Sequence, residues 1–129
     1  RSFVSFYIKK AHIIYLCYDI TNRDSFNNLT LWLNIIKKLV KINFIGFIIG
    51  TKSDLKDKRV ISANEGQKYA DKINFFFYET SSKLNDNIDT LLDFTIDTFV
   101  KRNIKEIIND EKKEEINVKN NKFNYLQYC

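Results

Sequence analysis

The chain has 129 residues, 44% hydrophobic and 15% aromatic, enough material for the core of one domain. Its net charge of +5 is dispersed among acids and asparagines rather than gathered in a patch, which argues against a nucleic-acid partner. Two distant cysteines, Cys17 and Cys129, do not make a disulfide framework or a metal site and fit a reducing, intracellular setting.

No apolar run is long enough to span a membrane, and nothing near Arg1 resembles a signal peptide. A chain that begins with arginine and contains no methionine is expected to continue upstream.

Residues 1–11 have weak periodicity and read as the end of a helix or an irregular approach to a strand. Residues 12–18 are almost continuously apolar, which predicts a strand buried on both faces, with Cys17 as core packing. Polar residues suited to a turn and a helix cap follow. Phe26, Leu29, Leu33, Ile36 and Val40 then recur at helical spacing, with Trp32 at the edge of the stripe.

Residues 43–50 form the central strand, too apolar for any solvent-facing position, and open after Gly50 into a polar loop. Ser62 and Glu65 have capping-box spacing, so a helix is expected from there through Lys72. Residues 74–79 read as a third strand, ending in a second polar loop. Ile88, Leu91, Leu92, Thr95, Ile96, Phe99 and Val100 mark a final amphipathic helix. Strands alternating with helices predict an α/β fold with a parallel sheet. From residue 103 the composition turns to lysine, glutamate and asparagine, as in a mobile tail with room for a helical first part.

In a parallel α/β sheet, ligands sit beyond the carboxyl ends of the strands. Two polar loops lie there, Thr51-Lys52-Ser53-Asp54 and Glu79-Thr80-Ser81-Ser82-Lys83. Asp54 can accept two hydrogen bonds, matching the ring N–H and exocyclic amine of guanine. The Lys52 stem can lie along a base plane with its ammonium near sugar oxygens. Backbone amides of the serine-rich loop can donate to the guanine carbonyl, an acceptor that adenine lacks. The plainer alternative is that Asp54 caps a turn while Ser81 and Ser82 make loop hydrogen bonds.

These motifs together resemble the Rab family of Ras-like small GTPases. Tyr18-Asp19-Ile20-Thr21-Asn22-Arg23-Asp24-Ser25-Phe26 is similar to YDITNxxSF, and Gly50-Thr51-Lys52-Ser53-Asp54-Leu55 to GNKxDL. Asp57-Lys58-Arg59-Val60 is similar to DKRxV, and Glu79-Thr80-Ser81-Ser82-Lys83 to ETSAK. The resemblance covers residues 1–102. It implies the Ras-like three-layer P-loop NTPase fold in incomplete form, with the last three strands of the parallel sheet plus three helices. Residues 103–129 would be the hypervariable tail.

The resemblance further implies a GTP-binding switch in vesicle trafficking, with GTP or GDP held by Thr51, Lys52, Asp54, Ser81, Ser82 and Lys83. Rab-type effectors, exchange factors and activating proteins would be its partners. It would be cytoplasmic and peripheral on endomembranes, and Tyr7-Ile8 is similar to a Golgi-associated subgroup. Three glycines cannot build the family's phosphate loop. That loop, the first switch and the DTAGQE segment are expected upstream, so no catalytic or metal residue is assigned here. Hydrolysis and Mg2+ belong to the full-length parent only.

Thr51 stands where the family has asparagine, which weakens base binding without abolishing it. Ser82 stands for alanine, tolerable because the backbone amide is used there. Cys129 suggests prenylation and a lipid-anchored tail. With seven basic and five acidic residues from Lys101 onward, that tail is not a strong polybasic anchor. A degenerate, non-catalytic interaction module is the second reading. On the first reading, the strand at residues 12–18 is expected to be an exposed apolar edge, and the chain alone to fold poorly.

Overall fold

A computed structural model describes the backbone of residues 2–127 and the side chains of residues 5–114 and 116. Cys129, the expected lipidation site, lies outside the described residues. The chain divides into two compact units, Arg1–Leu92 and Asp93–Cys129.

In the first unit, helix α1 (Ser2–Ile8) leads into strand β1 (Ile13–Asp19). Short helix α2 (Arg23–Asn27) and helix α3 (Leu29–Leu39) follow, then strand β2 (Ile45–Thr51). Helix α4 (Ala63–Ile73) and strand β3 (Phe76–Glu79) come next. Helix α5 (Ile88–Gln127) starts in the first unit and forms the described part of the second.

The sheet order is β1-β2-β3 and both pairings are parallel. Helices between successive strands return the chain to the same sheet end, so every strand finishes at one edge. Ile14, Leu16 and Tyr18 of β1 join Ile48 of β2, Phe26, and Leu29, Leu33 and Ile36 of α3 in one core. All five apolar positions of the expected helical stripe are buried. The helix itself is broken in two at Asn28, whose N–H donates to the Asp24 carbonyl at 3.0 Å. Trp32 is 39% exposed, so it packs only in part.

β2 is buried at Ile45 through Gly50, as its uninterrupted apolar run requires. β1 differs from expectation, alternating between buried and open positions, and Cys17 is exposed. The reason is packing: among the described residues only the Ile14, Leu16 and Tyr18 face of this edge strand joins the core, against Phe26 and α3. Tyr15 is left 37% exposed beside Phe47, their rings edge to face at 5.1 Å.

The capping box at Ser62 forms by half. Ser62 Oγ accepts from the Glu65 N–H at 3.1 Å, but the Glu65 carboxylate turns to the Arg23 guanidinium, a charged donor that outcompetes a backbone amide. The same guanidinium donates to the Val60 carbonyl at 2.7 Å. Helix α4 ends at Asn74 in the left-handed conformation (φ 60°), so β3 begins at Phe76 rather than at residue 74.

Tyr18 is seated by glycine. A Cβ on Gly66 would lie 2.5 Å from the Tyr18 hydroxyl and 2.6 Å from the Phe77 ring, so only hydrogen fits there. Its hydroxyl is buried without a hydrogen-bond partner, and burial pushes the phenol pKa up.

In α5 the buried set is narrower than the expected stripe. Leu91 and Thr95, one turn apart, are buried, whereas Leu92, Ile96 and Val100 are 46%, 61% and 46% exposed. From residue 103 the chain continues α5 through Gln127.

Candidate functional site

The three strands deliver their last residues to one edge. Register pairs Asp19 with Thr51 and Gly50 with Glu79. Thr51 Oγ1 donates to the Tyr18 carbonyl at 2.9 Å, pinning the end of β2 to the end of β1. Lys52 then adopts φ 62°, and the Leu55 N–H closes a turn onto its carbonyl at 2.9 Å. A lysine in this left-handed region is strained, and such strain gathers where geometry serves a ligand.

Past this turn, the loop is fastened to the one that follows β3. The Ser53 N–H donates to the Thr80 carbonyl at 3.1 Å, and the Thr80 N–H to the Gly50 carbonyl at 2.9 Å. Ser81 is fully buried, and its Oγ donates to Asp54 Oδ1 at 2.6 Å. It also accepts from the Leu84 N–H at 3.2 Å. Its backbone pairs with Asp86 in both directions, at 3.1 and 2.9 Å. The Ser81 backbone is therefore committed to its own loop.

Thr51, Lys52, Asp54, Leu55, Ser82 and Lys83 line a cleft of about 390 Å³. Five of the six residues expected from the sequence thus surround one space. Ser81 sits behind that wall as the brace of Asp54. Among the described residues, neither the Ser82 nor the Lys83 N–H donates to a protein acceptor. The amides of two cleft-lining residues therefore remain for another acceptor.

Asp19, Arg59 and Glu79 stand in the sequence motifs but had no role of their own in the sequence reading. Asp19 Oδ2 lies 2.5 Å from Lys52 Nζ, while its Oδ1 accepts from the Thr21 N–H at 2.8 Å and the Thr21 hydroxyl at 2.7 Å. Burial pushes the Asp19 carboxyl up, but the Lys52 and Thr21 hydrogen bonds outweigh it and hold the pKa below the ordinary carboxylate value. Arg59 grips the Glu79 carboxylate with two parallel hydrogen bonds, at 2.6 and 2.8 Å, and donates to the Ile61 carbonyl at 3.0 Å. The hydrogen bonds it donates to Glu79 keep the Arg59 guanidinium pKa raised. Parallel register was the signal for Asp19, as the last residue of its strand. Nothing local pointed to the pairing of Arg59 with Glu79.

The Ras family model matches residues 1–96. The chain is 41% identical over 93 residues to the Ras-related protein RabQ of Dictyostelium discoideum, covering 72% of this chain and 46% of that protein. It is 42% identical over 84 residues to the Ras-related protein Rab-10 of Caenorhabditis elegans, covering 65% and 42%. To the GTP-binding protein ypt1 of Schizosaccharomyces pombe it is 37% identical over 89 residues, covering 69% and 44%. The chain spans somewhat under half the length of these relatives. The partial α/β fold, the ordered motifs and these matches agree: the chain belongs to the Ras family and is Rab-like within it.

Proposed function

We propose that the cleft at the ends of β2 and β3 is the base-reading pocket of a Rab-like GTP-binding switch in vesicle trafficking. The observation that carries the reading is the convergence of Thr51, Lys52, Asp54, Ser82 and Lys83 on one cleft. Ser81 takes one lone pair of Asp54 Oδ1, which leaves Oδ2 to accept from guanine. The unengaged Ser82 and Lys83 amides suit the guanine carbonyl. Adenine in this pocket would strand both the carboxylate and the amides, at about 1–3 kcal/mol for each group left unpaired.

Among the described residues no three His, Cys, Asp or Glu side chains converge to hold a metal, and with three glycines no phosphate cradle forms. Bound guanine nucleotide would supply the phosphate chemistry on which the switch runs, and these residues select and orient its base. Effectors, exchange factors and activating proteins of the Rab type, and a peripheral place on endomembranes, follow from the same reading. No helix among the described residues is long and apolar enough to cross a membrane.

The test compares GTP with xanthosine triphosphate on the full natural gene product, before and after Asp54→Asn. Loss of the carboxylate should weaken GTP by about a hundredfold and shift preference towards the xanthine nucleotide. Unchanged preference for GTP removes Asp54 from this role.

A further inference from the structure

We infer that Asp19 is a positioning residue for this pocket, acting through Lys52; the inference rests on the base-reading role just proposed. Its carboxylate is fixed before it meets the lysine. Oδ1 is held by the Thr21 N–H and hydroxyl, the Asp19 N–H donates to Ser25 Oγ at 3.0 Å, and the Ile20 N–H donates to the Thr51 carbonyl at 3.2 Å. Only Oδ2 is left to face the loop, and the Lys52 ammonium sits on it.

Lys52 is thereby held at both ends. Its backbone is set at φ 62° by the turn closed from Leu55, and its ammonium is set by Asp19. Lys52, fixed at these two points, is one of the residues of the cleft wall. A free lysine stem samples many rotamers, and each binding event would have to order it again. An anchored stem is already in place, so the ligand encounters a finished surface.

The pair itself contributes little to folding. The Lys52 side chain is 57% exposed, and ion pairs at such exposure are weak in water. A contact with little stabilising value, fixed by four hydrogen bonds beside one wall of the pocket, acts on the pocket.

The test is a double-mutant cycle on the full natural gene product, read as the dissociation rate of a fluorescent GDP analogue. Asp19→Asn keeps the shape and removes the charge, and Lys52→Met keeps the stem and removes the ammonium. Asp19→Asn should speed dissociation about three- to tenfold, with the melting temperature little changed. In the Lys52→Met background the same substitution should add nothing. Equal acceleration in both backgrounds overturns the inference, because Asp19 would then act through the fold rather than through Lys52. An unchanged rate in Asp19→Asn also overturns it. Failure of the wild-type protein to bind the GDP analogue overturns the base-reading pocket and this inference together, a result distinct from normal binding that ignores Asp19.

Discussion

Each strand of the sheet delivers an acid to the same edge, yet the three acids are treated differently. Asp19, closing β1, is neutralised by Lys52, and Glu79, closing β3, by Arg59. Asp54, just beyond β2, has no cation within ion-pair distance among the described residues and is steadied by the Ser81 hydroxyl alone. A carboxylate saturated by a guanidinium or an ammonium has little left for a ligand. One held by a single hydroxyl keeps most of its lone pairs. Two of the acids thus build the edge, and the third is free to read what binds there.

The largest effect expected from disturbing this division is on Glu79. Arg59→Met leaves a carboxylate that is only 17% exposed without its cation. The urea-unfolding free energy should fall by about 3 kcal/mol, and adding Glu79→Gln should recover much of it. A loss below about 0.5 kcal/mol would mean that Glu79 is not structural and that the contrast with Asp54 is false.

Asp54 is the next target. Ser81→Ala removes the hydroxyl 2.6 Å from its Oδ1, leaving the carboxylate unbraced beside a buried methyl. Guanine-nucleotide affinity, measured by titration calorimetry on the full gene product, should drop about three- to tenfold, with a stability loss of about 1 kcal/mol. A stability loss with affinity intact would make Ser81 a loop residue only.

The smallest effect concerns Asp19 and appears as a pH dependence. Because its pKa is depressed in the folded state, its contribution is fully present above the unfolded value of about 3.9 and fades as pH falls through the lower folded value. Asp19→Asn should therefore cost under about 1 kcal/mol at pH 7, a gap that closes as the solution is acidified towards pH 2. A gap that persists in acid would show that the carboxylate acts by shape and not by charge.

Features set by local pattern were open to a reader of the sequence. The uninterrupted run of β2 announced a strand buried on both faces, and the two polar loops announced the edge where Asp54, Ser82 and Lys83 meet. Features decided by distant partners were closed. Cys17 belongs to an apolar run, yet its exposure depends on what flanks β1 and not on its neighbours in sequence. Glu65 had the spacing to complete a capping box, but Arg23, 42 positions earlier, claims its carboxylate. Ser81 and Ser82 are adjacent and chemically identical. Only the bridge to Asp86 shows why one goes under the cleft wall and the other into it.

The left-handed backbone at Lys52 has a consequence for how this chain would drift under selection. Glycine or asparagine would sit at φ 62° with less strain, by about 1 kcal/mol, so selection for stability alone favours replacing the lysine. Selection for a ligand favours keeping its stem and ammonium. The two pressures oppose each other at this single codon, which makes position 52 a gauge of use. In descendants of this chain that had become mere scaffolds, Lys52 would be among the first pocket residues to be exchanged, well before the buried Ser81 or the paired Glu79.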